Sequence, residues 1–355
     1  MTKSPCLKVP KTSGQKTIEI ARQLEIYNQS LKIEQKGDHL YVPLLREPTE
    51  KERKAVKKVA QNGEFGVHDF PELVSRPKGF VDLLTEELPP HLIASLPRSA
   101  DFVGDIAVVE IPSELDAYRH KIGEAILTTN KRVHTVLAKA SAISGVYRTR
   151  KFEVIAGESK TTTVHREYGC VFYVDLSRAY FSPRLSNEHA RIARLVSEGE
   201  TVIDMFAGVG SFAIQIAKRH EKVRVHAVDV NPDAIEFLNK NIAVNRVLTK
   251  VTPVLGDVRK AVHERFVGVA DRVIMNLPEK SIEYVDVACE ALKPTGGIMH
   301  YYAFTEASER KAATEVRLTE AVEKAHRRID KILASRTVRA TAPYTWQVVV
   351  DARIR

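Results

Sequence analysis

The chain has 355 residues, 44% hydrophobic and 28% charged, with a formal net charge of +9. This length supports two or three domains with self-sufficient cores, and the absence of a run of about eighteen apolar residues excludes a membrane-spanning helix. The surplus of Lys and Arg suits a polyanionic partner, because basic side chains release counterions from phosphates.

Residues 18–24 (IEIARQL) have helical spacing, and 40–45 (LYVPLL) read as a strand. Thr49 and Glu52 make a capping box that opens a basic helix through Ala60. Gly63 and Gly66 end it, and residues 62–78, rich in glycine, proline and polar residues, read as a linker. A small N-terminal domain, 1–65, is thereby separated by a linker, 66–78, from an α+β middle domain, 79–169. In the middle domain, 102–111 (FVGDIAVVEI) is strand-rich, 118–127 looks helical and 133–137 is a further strand. Residues 147–154 (YRTRKFEV) alternate basic and apolar side chains, as an edge strand lining a polar groove would, and carry Arg148.

From 170 to 355 apolar runs alternate with helical patterns. Strands are predicted at 201–206, 223–228, 252–255, 272–275, 297–302 and 347–354, and helices at 187–197, 210–219, 232–244, 281–292 and 307–325. That alternation predicts an α/β, doubly wound, mostly parallel Rossmann-like sheet. Such sheets take ligands beyond the carboxyl ends of their strands. The three cysteines, Cys6, Cys170 and Cys289, lack CxxC spacing, and the first thirty residues lack an apolar signal core. Both features point away from disulfides and metal and toward a reducing cytoplasm.

Three motifs fall at predicted strand ends. TVIDMFAGVG places Asp204 and Phe206 before a turn whose Gly208 and Gly210 let backbone approach a ligand. VHAVDVNP places Asp229 and Val230 after the next strand, where a carboxylate can hold ribose hydroxyls, with Asn231 as helix cap. Asp257 and Val258 follow the third, where the acid can accept an adenine amine. The set suits any adenosine-containing cofactor. The acid before the glycines, and the lack of an arginine or glycine cluster for a pyrophosphate, favour a cationic sulfonium over NAD. Each acid alone could equally be a turn former or a cap.

VIMNLP puts Asn276 and Pro278 at the end of the fourth strand, where an amide could meet the edge of a nucleobase. Glu188, in YFSPRLSNEHARI, opens a helix; it reads as a helix-dipole partner or as a general base for a ring N–H. Arg148 reads as a solvated arginine or as a stabiliser of charge on a base oxygen.

These motifs occur in the order of a known family. Arg148-Thr-Arg150, Ala156-Gly-Glu158, His165-Arg-Glu167, Tyr180-Phe-Ser-Pro-Arg-Leu185, the Asp204–Gly210 turn, Asp229-Val-Asn-Pro232 and Asn276-Leu-Pro278 resemble the archaeal-type tRNA (guanine-N1)-methyltransferases that act at position 37. The resemblance spans essentially the whole chain. It implies S-adenosylmethionine as cofactor, tRNA as partner and an N-terminal domain that touches the outer corner of the tRNA. It implies Glu188 as the base at guanine N1, Arg148 as the stabiliser of O6, and Asn276 with Pro278 as the loop around guanine. Tyr180, His189, Phe206, Asp229, Val230, Asp257 and Val258 are implied as cofactor contacts. Some relatives methylate a wyosine-pathway guanosine, a second expectation that stays open. Amino-group methylation is less well matched, because Glu279 rather than an aromatic residue follows the proline. A non-catalytic RNA-binding module would not need the acid set. Nothing in the sequence demands more than a monomer.

Overall fold

Residues 2–10 bury Leu7 and Val9 in one small core and Cys6 in a second, against Leu31 and Phe70. They form β1 (Thr2–Pro10). In the computed structural model, residues 2–60, 62–71, 79–85, 87–306 and 311–355 are described. They divide into two compact units, Met1–Gly79 and Phe80–Arg355.

In the first unit β1 is followed by α1 (Gly14–Gln23), β2 (Glu34–Lys36), β3 (His39–Pro43), α2 (Glu50–Val59) and β4 (Glu64–Phe70), with strand order β2-β3-β1-β4. The Thr49–Glu52 capping box is formed at α2. The stretch predicted as linker begins instead as β4, paired antiparallel with β1 from Thr2↔Phe70 to Lys8↔Glu64. The open edge of β1 outweighs the turn propensity of Gly66, where nothing crowds the backbone. Residues 72–78 of that linker lie outside the described residues.

The second unit opens with α3 (Phe80–Thr85), α4 (Pro90–Ile93), β5 (Asp101–Val103), β6 (Ile106–Val109), α5 (Arg119–Thr129), β7 (Thr135–Lys139) and β8 (Phe152–Gly157). These strands make one sheet, β5-β6-β7-β8, with α5 as the crossover between parallel β6 and β7. The edge strand predicted at 147–154 starts only at Phe152. Arg148 lies before it in a tight turn closed by the Ser144–Thr149 bridge, with φ +54°. Next, β9 (Thr162–Glu167) and β10 (Cys170–Asp175) form a hairpin around Tyr168 and Gly169, both at positive φ. The boundary expected at 169/170 therefore falls in a two-residue hairpin turn.

The remaining elements are α6 (Ser186–Leu195), β11 (Thr201–Asp204), α7 (Ser211–Arg219), β12 (Arg224–Asp229), α8 (Pro232–Asn245), β13 (Val251–Leu255), α9 (Val258–Ala261), β14 (Arg272–Met275), α10 (Val285–Ala291), β15 (Gly297–Glu306), α11 (Lys311–Lys324), β16 (Ile329–Ala342) and β17 (Thr345–Ile354). Their sheet runs β13-β12-β11-β14-β15-β17-β16. The first five strands are parallel, and β17 lies antiparallel between β15 and β16. Apolar faces of α6, α7 and α8 cover one side, while α9, α10 and α11 cover the other. This is the doubly wound sheet the alternation predicts. Strand order reverses between β11 and β14, which opens a crevice at their carboxyl ends. The expected helix at 281–292 begins as a 3-10 turn, Ser281–Tyr284; the first four residues of that expected at 307–325 lie outside the described residues. No helix is long and apolar enough to cross a membrane among the described residues.

Candidate active site

A cleft of about 290 Å³ lies at the carboxyl ends of β11, β12, β13 and β14. Its floor is the turn after β11. Met205 donates its backbone N–H to Ile274 (3.0 Å) and Ala207 to Val228 (2.9 Å), so the turn is tied to both neighbouring strands. Gly208 and Gly210 sit at φ +55° and +94°, conformations that side chains rarely adopt. A Cβ on Gly210 would lie 2.4 Å from Leu238, whereas one on Gly208 would meet only Tyr180 carbonyl oxygen at 3.6 Å. Gly210 is thus required for packing, and Gly208 keeps the cleft open.

Asp229 ends β12 with both oxygens fixed: Gly208 N–H donates to Oδ2 (2.7 Å) and Asn231 N–H to Oδ1 (2.9 Å). Each oxygen keeps a lone pair for a second donor, which suits paired hydroxyls. Burial raises the Asp229 carboxyl above its usual range. Asp257 accepts from the amides of Arg259 (2.9 Å) and Lys260 (3.2 Å), so it caps α9 while lining the cleft. Val230, Val258, Phe206 and Tyr180 complete this side, with Phe206 edge-on to Tyr284.

Asp204 does not line the cleft. It lies fully buried beneath it, and neither carboxylate oxygen has a hydrogen-bond partner among the described residues. Burial, and then the charge of Asp229, push its carboxyl up to about 7. One buried acid below the cleft, Asp204, and a second in its wall, Asp229, with both oxygens able to accept a further donor, fit S-adenosylmethionine, which brings a sulfonium and an ammonium. Among the described residues no group of His, Cys, Asp and Glu could hold a metal ion, and the three cysteines are free and buried.

Across the cleft, Asn276, Leu277 and Pro278 follow β14. Ser281 Oγ donates to the Met275 carbonyl (2.7 Å) and accepts from Leu277 N–H (3.2 Å), which folds this loop back over the sheet. Arg148 reaches the same space. Its guanidinium pairs with Glu279 (2.8 Å) and lies over the Tyr180 ring. His189 lines the wall from α6, edge-on to Phe212. Its Nδ1 lies 2.8 Å from Glu167, which also accepts from Gln215. Burial alone would raise Glu167, but His165 and His189 hold it at about 2. Glu167 is therefore ionised, His189 Nδ1 carries the proton, and Nε2 is left for another partner.

Glu188 is not among the residues lining the cleft. The sequence places it in the first turn of α6, and the fold buries it. Arg191 donates to both carboxylate oxygens (2.9 and 2.7 Å), and the Tyr302 hydroxyl donates to Oε1 (2.6 Å). Arg191 also donates to Asp351 (2.5 Å), whose other contact is His300 (2.6 Å). Pairing with its neighbour three residues on, rather than solvent or the cleft, is what decides the orientation. Among the cleft-lining residues that no sequence motif indicates are Arg339, Gln347 and Tyr284. The first two sit on β16 and β17, whose pairing no local pattern announces.

Residues 163–332 match the family described as TRM5/TYW2 methyltransferase domain. Residues 80–161 match the TYW2 N-terminal domain, and 6–52 the tRNA methyltransferase 5 N-terminal domain. The chain is 36% identical over 348 residues to the tRNA (guanine(37)-N(1))-methyltransferase Trm5b of Pyrococcus abyssi, covering 98% of both chains. The crystal structure of WT Trm5b from Pyrococcus abyssi superposes with a TM-score of 0.75 at 35% identity, covering 99% of each chain. The solved complex of aTrm5 and tRNALeu gives 0.70 at 33% identity, again over 99% of each. With that likeness running the full length of the chain, through the cleft and both flanking segments, the chain belongs to the TRM5/TYW2 family of methyltransferases.

Proposed function

We propose that this chain transfers a methyl group from S-adenosylmethionine to N1 of guanosine 37 in tRNA. One observation carries the reading: a single cleft joins the adenosine-type acceptors Asp229 and Asp257 to the base-type groups Arg148 and Asn276. When bound, the cofactor supplies an electrophilic methyl on a sulfonium whose leaving group is a neutral thioether. Asp229 and Val230 would hold its ribose, Asp257 and Val258 its adenine, and Tyr180, His189, Phe206 and Gly208 the remainder. Asp204, buried beneath the cleft, would balance its positive charge.

The target guanine must leave its stack to present N1. Arg148 then exchanges Glu279 for the base oxygen, and Asn276 and Pro278 hold the polar edge. Glu188 takes the N1 proton. To do so its carboxylate turns from Arg191, and Asp351 keeps that guanidinium paired once Glu188 is neutral. Much of the rate then comes from orientation. Residues 79–169 serve RNA binding, supported by the groove that Lys131, Arg132, Lys160 and Arg166 line. Residues 1–65 make a separate tRNA contact, and the chain acts as a cytoplasmic monomer.

A 32% identity over 260 residues to the tRNA 4-demethylwyosine(37)-methyltransferase Taw21 of Saccharolobus solfataricus favours a second reading, methylation of a wyosine-pathway guanosine. Labelled S-adenosylmethionine with transcripts bearing guanosine or adenosine at position 37, followed by nucleoside mass analysis, tests the first. We expect 1-methylguanosine on the guanosine transcript alone. No transfer to either, with cofactor bound, would replace the reading by the second.

A further inference from the structure

Asn276 brings a side-chain amide to the base side of the cleft, and which of its two ends faces the substrate decides what it can recognise. An amide oxygen accepts and an amide nitrogen donates, and the two are interchangeable by a half-turn of the side chain. Here the choice is forced from a distance. Arg339 on β16 and Gln347 on β17 are direct cross-strand partners. Arg339 Nε donates to Gln347 Oε1 (2.9 Å), and Gln347 Nε2 donates to Asn276 Oδ1 (2.9 Å).

A guanidinium has no acceptor, so only the oxygen of Gln347 can face it. The nitrogen of Gln347 must then face Asn276, and Asn276 must answer with its oxygen. Asn276 Nδ2 is left as the free end, without a protein partner among the described residues. Gln347 is fully buried, so water does not compete for this relay. Arg339 itself is fixed by two more contacts, to Ser182 Oγ (3.0 Å) and the Tyr180 hydroxyl (3.2 Å).

We propose that Gln347, polarised by Arg339, is a positioning residue that sets the Asn276 amide donor-first toward the substrate, so that the site selects a base oxygen over a base amine. The inference rests on the guanosine reading above. A keto oxygen beside the reacting nitrogen, as in guanine, meets an N–H. The exocyclic amine at the same place in adenine meets a second donor and is rejected. Specificity for one purine is thereby written two residues away from the base, on an antiparallel hairpin appended to the parallel sheet.

Two substitutions separate polarity from packing. Gln347→Glu keeps the shape and the Arg339 contact but offers only acceptors, so Asn276 must turn its nitrogen inward and its oxygen to the substrate. Gln347→Met removes the relay and leaves the amide free to choose. Measured with guanosine-37 transcript, we expect kcat/KM to fall at least about 100-fold for Gln347→Glu and less than about tenfold for Gln347→Met. S-adenosylmethionine affinity by calorimetry should stay within about threefold for both. A role in packing alone predicts the reverse order, because Glu is the closer isostere. Gln347→Met as damaging as Gln347→Glu, or Gln347→Glu within tenfold of the parent, would overturn the assignment. Should Gln347→Glu not fold, the freed amide of Gln347→Met carries the test: its preference for guanosine over adenosine must narrow by about tenfold or more, and an unchanged preference overturns the proposal. A parent protein that binds cofactor but leaves guanosine-37 unmethylated overturns the functional reading first, and this assignment with it.

Discussion

Asp204 ends β11 with a buried carboxylate whose oxygens find no hydrogen bond among the described residues, and its carboxyl is raised to about 7. The folded chain therefore holds a proton that the unfolded chain releases near pH 4. Stability from this residue is complete below about pH 4 and is lost as pH rises through about 7. Asp204→Asn removes that loss. Without cofactor, the variant should gain up to a few kcal/mol at pH 8 and nothing near pH 4, read by urea unfolding. A cation placed next to the ionised acid recovers the same energy. Parent affinity for S-adenosylmethionine should thus rise from about pH 6 to 7, below the titration of the cofactor's own amino group, while the variant binds more weakly and lacks that rise. Identical profiles for the two proteins would remove Asp204 from the cofactor account. Glu188 poses the other residue-scale question, since Arg191 and Tyr302 hold it off the cleft wall. As a base it must matter in the transition state more than in binding. Glu188→Gln should cost about 100-fold or more in kcat, with tRNA affinity changed less than about threefold. Matching losses in both would make it a structural anchor of α6.

At the scale of elements, the junction between the β9–β10 hairpin and the methyltransferase sheet rests on two asparagines one turn apart on α8. Asn241 accepts from Tyr173 N–H (2.7 Å) and donates to the Tyr173 and Val209 carbonyls (3.1 and 3.0 Å). Asn245 does the same for Val171 (2.9 and 2.6 Å). Side-chain amides thus stand in for a neighbouring strand along the outer edge of β10. Both asparagines are almost wholly buried, so water cannot replace them. Asn241→Leu should cost roughly 2–4 kcal/mol in chemical unfolding, the penalty of stranded backbone groups. A loss below about 1 kcal/mol would mean the edge is satisfied otherwise. The sequence shows these asparagines plainly in NKNIAVN, but no periodicity says that they face a strand edge. The same limit explains β4 and β16. β4 is a short, glycine-containing segment that becomes a strand because β1 offers an edge. β16 alternates apolar residues with charges and breaks register four times against β17, so its pattern resembles a solvated loop until its partner is present.

For the whole molecule, the cleft is built entirely from residues of the second unit, Phe80–Arg355. A chain reduced to residues 80–355 should keep S-adenosylmethionine affinity within about threefold by calorimetry. A larger loss would mean that the first unit supports the cleft. Much of this organisation was legible beforehand. Periodic apolar runs predict β11, β12, β14 and their helices, because a strand buried on both faces and an amphipathic helix each leave a local signature. That Asp229, Asp257, Asn276 and Pro278 line the cleft was legible for a related reason: a parallel sheet opens its crevice at strand ends, so chain position alone indicates them. What only tertiary structure decided is whatever depends on partners distant in sequence. It buried Asp204 and Glu188, put Arg148 on a turn beside Glu279, and carried Arg339 and Gln347 to Asn276. Local propensity acts over a few residues, whereas burial, pairing and the direction of an amide are settled by groups that meet only when the chain is folded.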